Sequence, residues 1–156
     1  MDRRPVPVPY PEPVVVGWLL VLCLVLTFAC PVSLLYQTFA QTVPALLNTH
    51  DLKQTVLLSV RTLLFLGVSG FSFVAGVALW MIKPGAVKFA KRFWLTYLCV
   101  HFAYFVFWAL LVRPSHLSSV APMVWHHVAG PLLPYFLWTV YLEHSKRVRA
   151  TYPLTN

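Results

Sequence analysis

Long apolar stretches alternate with short polar ones along this chain. The first covers residues 14–36 without a charged side chain. The second covers 55–82 and holds one, Arg61. The third (93–112) and the fourth (117–142) are again uncharged. About 20 apolar residues in a helix cross the ~30 Å hydrocarbon layer of a bilayer, and only helices or closed barrels satisfy their backbone groups there. The pattern predicts an all-α membrane protein with four transmembrane helices in a compact bundle. Residues 1–13 read as a proline-rich arm, 14–144 as the transmembrane domain and 145–156 as a basic tail.

The cations set an orientation. Arg3 and Arg4 precede the first stretch. Lys83, Lys88, Lys91 and Arg92 separate the second from the third, and Lys146, Arg147 and Arg149 follow the fourth. Only Lys53 and Arg113 fall in the opposite connections. Cytoplasmic loops carry the excess of Lys and Arg, so both termini are expected in the cytoplasm. Trp18, Trp80, Trp94 and Trp138 then lie near the cytoplasmic ends of four different spans, and Tyr36, Trp108 and Trp125 near the outer ends. Indole and phenol rings favour the headgroup boundary.

Composition agrees. The chain of 156 residues is 59% hydrophobic and 10% charged, against about 25% charged in soluble domains. Its net charge of +8 does not point to nucleic acid, because the cations flank the apolar stretches and suit topology and anionic lipid. The first stretch is too long for a signal peptide and lacks a cleavage site. Cys23, Cys30 and Cys99 all fall in apolar stretches and show no metal-ligand spacing.

Between the spans, the alternating prolines of residues 5–13 favour an extended polyproline arm, read as a spacer. The connection 37–54 is apolar for a loop, and a short helix on the outer membrane surface is expected there, with Thr49 or Asp51 capping the second span. Lys83-Pro84-Gly85 is a helix stop.

The polar residues inside the spans are the candidates for chemistry. Arg61 is expected to extend toward the outer boundary, with lipid phosphate or a partner carboxylate as the alternative contact. Ser69, Ser72 and Gly76 share a stripe that suits close helix packing, and Gly67, Gly70, Ala75 and Ala78 form a second small-residue side. On the third span Trp94, Tyr97, His101, Tyr104 and Trp108 fall on one face at 100° per residue. That face reads as a hydrogen-bonded core network, or alternatively as a flat pocket for a quinone, haem or lipid. His126 and His127 point 100° apart, so at most one faces the core. Helix rise places His101 several ångströms deeper than the pair, which argues against bis-histidine haem. Gly130, Pro131 and Pro134 free backbone carbonyls that a nearby His or Trp N–H is expected to satisfy, with a protonatable site as the alternative. Lys88, Lys91, Arg92, Lys146, Arg147 and Arg149, with Arg61, are the candidate lipid-headgroup contacts.

Gly17-Trp18-Leu19-Leu20, Pro31, Pro134-Tyr135-Phe136 and the run from Ser145 to Tyr152 (Ser-Lys-Arg-Val-Arg-Ala-Thr-Tyr) together resemble a YdgK-like family of uncharacterised bacterial four-helix inner-membrane proteins, a domain of unknown function. The resemblance implies a multi-pass protein of the bacterial inner membrane and no reaction. No nucleophile–base pair, metal cluster or phosphate loop stands out in the sequence. The expectation is a non-catalytic accessory or structural subunit that packs against other membrane proteins or itself, without cofactor, metal or nucleic acid. The alternative is a binder or carrier of a small hydrophobic ligand inside the bundle.

Overall fold

A computed structural model describes residues 15, 17–112 and 117–152 of the chain. The proline arm over 1–13 and the outer connection at 113–116 lie outside the described residues. Among those residues every element is helical. Helix α1 runs over Trp18–Asn48, α2 over Leu52–Trp80 and α3 over Ala86–Val112. Helix α4 is continuous from Leu117–Val124 through Trp125–Ala129 to Gly130–His144, and the short α5 spans Lys146–Thr151.

Helices α1, α2 and α3 are long and apolar enough to cross a membrane. At 1.5 Å per residue each exceeds a ~30 Å hydrocarbon layer. Helix α4 is of similar length, but His126, His127, Gly130, Pro131 and Pro134 dilute its apolarity. Three helices therefore reach the character of a span on their own.

The termini of these helices follow from local chemistry. Asp51 caps α2, its side chain accepting from the Lys53 backbone N–H at 3.1 Å. The α2–α3 turn places Gly85 at φ 79° and Ile82 at φ 50°, so the expected stop at Lys83-Pro84-Gly85 is present. Helix α1, in contrast, does not end near residue 36. It continues through the segment expected to be a loop, and no separate surface helix forms there.

Prolines explain how. Among the described residues three π-helical turns occur, at Val25–Ala29, Gln37–Thr42 and Trp125–Ala129, and each is followed two residues later by a proline: Pro31, Pro44 and Pro131. A proline lacks an N–H, and its ring collides with the carbonyl four residues back in a regular α-helix. Widening the preceding turn makes room for the ring and keeps the helix continuous. The buried positions Leu34, Thr38 and Thr42 step by four through the second wide turn, which keeps them on one face. The two threonines bond back to the Leu34 carbonyl (2.8 Å) and the Gln37 carbonyl (3.0 Å).

Each wide turn leaves a carbonyl without a backbone donor. The Cys30 N–H goes to the Val25 carbonyl, and Pro31 has no N–H to offer the Leu26 carbonyl. Ser72 of α2 fills that vacancy, its hydroxyl donating to Leu26 O at 2.8 Å. Ser69 donates to Pro31 O at 3.4 Å and Trp80 Nε1 to Thr27 Oγ1 at 3.1 Å. Gly76 lies between them, so close that an added Cβ would stand 2.7 Å from Thr27 N and 3.0 Å from the Leu26 carbonyl carbon. The α1–α2 seam therefore joins a small residue to side-chain bonds that reach a proline-interrupted backbone. Association in lipid relies on such packing and hydrogen bonds, because lipid tails remove most of the hydrophobic drive. Ser72→Ala is expected to destabilise the protein by about 1–3 kcal/mol by leaving a buried carbonyl unpaired, read as a lower midpoint in an SDS unfolding titration. Ser69→Ala, with a longer bond, should lose less; the reverse order would contradict this account of the seam.

Close backbone packing runs mainly between consecutive helices, α1 on α2, α2 on α3 and α3 on α4, more a row than a closed bundle. Helix α5 folds beneath one end. Val148 and Thr151 are buried, and Tyr152 Oη donates to Leu79 O at 2.6 Å. Burial pushes the Tyr152 phenol well above its ordinary range, so it stays a donor. Gly17, at φ 65°, opens α1 where the Arg147 guanidinium lies within 2.5 Å of the place a Cβ would occupy.

The second small-residue side of α2 divides. Ala75 is buried and Ala78 half-buried, whereas Gly67 and Gly70 are exposed with nothing within 4 Å of an added Cβ.

Candidate functional site

Helix α3 turns its aromatic face inward. Trp94, His101, Tyr104 and Trp108 are buried and Tyr97 is half-buried, at the alternating three- and four-residue spacing of a packed helix face. Ring contacts link them. Trp94 stacks on Trp138 of α4 at 6.5 Å and 16°. Tyr97 lies 4.3 Å from His101, and Phe65 of α2 stacks on His101 at 5.2 Å. Trp108 belongs to a smaller cluster with Leu57 and Tyr104. Trp94 and Trp138 are thus core residues and not boundary anchors, while Trp18 and Trp125 are exposed.

Of the histidine pair, His127 is buried and His126 exposed, as their 100° separation requires. His101 and His127, expected at different depths, have neighbouring rings with centroids 5.7 Å apart, and Tyr104 lies 4.9 Å from His127. Helix rise alone does not give the offset of neighbouring helices along their axes. The argument against haem therefore rests on contact. The two rings are already near van der Waals distance, with Phe65 and Tyr104 filling the space around them. His101 Nδ1 donates to the Tyr97 carbonyl at 2.9 Å, which leaves Nε2 as the bare nitrogen of the neutral ring.

Arg61 sits one helical turn from Phe65 and is half-buried against α1 and α3. Its guanidinium lies 5.1 Å from the Phe65 ring centre and 6.0 Å from that of Tyr104, and it donates to Gln37 Oε1 at 3.4 Å. Of the chain's four acidic residues none falls inside a predicted span, so the cation rests on aromatic faces and an amide. Arg61 Nε, His127 Nδ1 and Trp94 Nε1 are buried without a protein partner among the described residues. The expected bond from His or Trp to a carbonyl freed by Pro131 is therefore not formed by His127 Nδ1. Phe65, Gln37 and Trp138 were missed in the sequence. Phe65 carried a usable signal, standing four residues after the lone intramembrane arginine; Gln37 carried none, because it was assigned to a loop.

The candidate headgroup residues divide as well. Lys88, Lys91 and Arg149, with Lys83, surround a cavity at the α5 end of the molecule. Arg92 and Lys146 are exposed away from it, and Arg147 lies on Gly17. Lys91 Nζ forms an ion pair with Glu143 at 2.9 Å, and that hydrogen bond and charge hold the carboxyl of Glu143 below its ordinary range. No group of three or more potential metal ligands occurs among the described residues.

Over residues 13–153 the sequence matches a family described as "Protein of unknown function (DUF2569)". No curated protein and no solved structure matches it.

Proposed function

The chain belongs to the DUF2569 family, and from that premise we propose that it is a non-catalytic integral membrane protein, an accessory or structural subunit that packs against other membrane proteins or against itself. In this reading α4 is the fourth crossing, both termini face the cytoplasm, and the membrane is the bacterial inner membrane, in keeping with the distribution of cations.

The observation that carries the proposal is the filled interior. The polar aromatic face of α3 is occupied by Phe65, Trp138 and His127 of the chain's own helices. A quinone, haem or lipid would have to displace one of them. Function then resides on the outer surface, where Leu63, Phe73, Leu133 and Phe136 are exposed and Gly67 and Gly70 leave a shallow place for another helix.

Extraction from native membranes in mild detergent, followed by native mass spectrometry, tests this. The expected species is heavier than one chain and contains a stoichiometric second protein or a second copy. A particle of one chain under every mild detergent would overturn the proposal.

A further inference from the structure

The basic end of the molecule holds a cavity of about 540 Å3, within the ~300–1,000 Å3 range of small-molecule sites. Two regions far apart in sequence build it: the α2–α3 turn with the first turns of α3, and the end of α4 with the adjoining α5. Four cations line it, Lys83, Lys88, Lys91 and Arg149, against one carboxylate, Glu143, a local balance of +3. Its other walls are apolar, chiefly Val87, Leu142 and Val148. Tyr152 holds one wall in place through its bond to Leu79 O. The opposite wall contains Ile82 at φ 50°, a conformation uncommon for a β-branched residue. The cavity lies where the apolar stretches of α2 and α4 end.

We propose that this cavity binds the anionic headgroup of a phospholipid, the phosphate held by Lys88, Lys91 and Arg149 and the glycerol and first acyl carbons lying along Val87 and Val148. Charge alone would suit any small phosphate. The apolar walls beside the cations select a phosphate that is joined to hydrocarbon. Glu143 pairs with Lys91, so the headgroup competes with a carboxylate for that cation. The inference goes beyond the packing role proposed above and does not depend on a protein partner.

The test is native mass spectrometry of the full-length protein in detergent with added phosphatidylglycerol or phosphatidylcholine. Wild type is expected to retain phosphatidylglycerol at least about tenfold better, because several near-surface cations attract anionic lipid together. The double variant Lys88→Gln/Arg149→Gln should lose that preference. Arg92→Gln/Lys146→Gln, which removes equal charge outside the cavity, should keep it. Val87→Trp should reduce retention with the charge unchanged, and Glu143→Gln should increase it. Equal losses from the two double variants would show diffuse surface attraction and overturn the site, as would full retention by Val87→Trp. Displacement of the lipid by equimolar glycerol phosphate would overturn the choice of a lipid occupant.

Discussion

Phe65→Ala is expected to destabilise the protein by about 3–5 kcal/mol, the range for removing a buried aromatic ring from a packed core. Phe65 is among the largest fully buried side chains, and its ring meets groups from two helices. It stacks on His101, tilts against Tyr104 at 6.5 Å and lies beneath the Arg61 guanidinium. Truncation opens a cavity and also removes a face that supports a cation without a carboxylate partner. The loss should therefore exceed that of Phe65→Leu, which keeps most of the volume but no π face. Unfolding in an SDS titration measures both. Equal losses for the two variants would show that the ring acts by volume alone and that Arg61 is stabilised elsewhere.

Gly76→Leu is expected to prevent the folded protein from accumulating, and Gly76→Ala to lower stability by about 1–3 kcal/mol through overpacking. The Thr27 hydroxyl is the nearest obstruction, and behind it stands backbone: Thr27 N and the Leu26 carbonyl carbon lie 2.7 and 3.0 Å from the Cβ position, and neither can rotate away. Relief requires α1 to move off α2, which would lengthen the Ser72–Leu26 and Trp80–Thr27 bonds together. Gly67→Ala and Gly70→Ala serve as controls. They meet no atom within 4 Å and should be neutral or slightly stabilising in the isolated chain. Detergent thermal stability measured by fluorescence-detected gel filtration distinguishes the cases. A tolerated Gly76→Leu would mean that the α1–α2 seam is looser than described.

Much of this architecture was legible in the sequence. Apolar length predicted each long helix, Asp51 and Lys83-Pro84-Gly85 marked helix ends, and the 100° rule identified the inward face of α3 and limited the histidine pair to one core member. The stripe of Ser69, Ser72 and Gly76 signalled a packing seam, although not that two of the three bond to carbonyls around Pro31. What was not legible has physical causes. Gln37, Gln41, Thr42 and Pro44 look like a loop by composition, yet a wide turn carries the helix through them. Helix rise set His101 deeper than His127, yet their rings are neighbours. The contacts of Arg61 with Phe65, Tyr104 and Gln37 were not legible, because they come from three helices. The basic cavity draws its lining from residues 82–91, 142–143 and 148–152, and no local pattern announces that meeting.

The wide turns before Pro31, Pro44 and Pro131 also bear on how relatives should be aligned with this chain. A π turn holds one residue more than the α turn it replaces. Each therefore corresponds to a single-residue insertion, and everything after it is rotated by one step, about 100°, about the helix axis. A relative without the equivalent of Pro131 has no need of the extra residue. Matched to this chain without a gap between Trp125 and Ala129, it would set a lipid-facing residue opposite Trp138 and obscure a shared core.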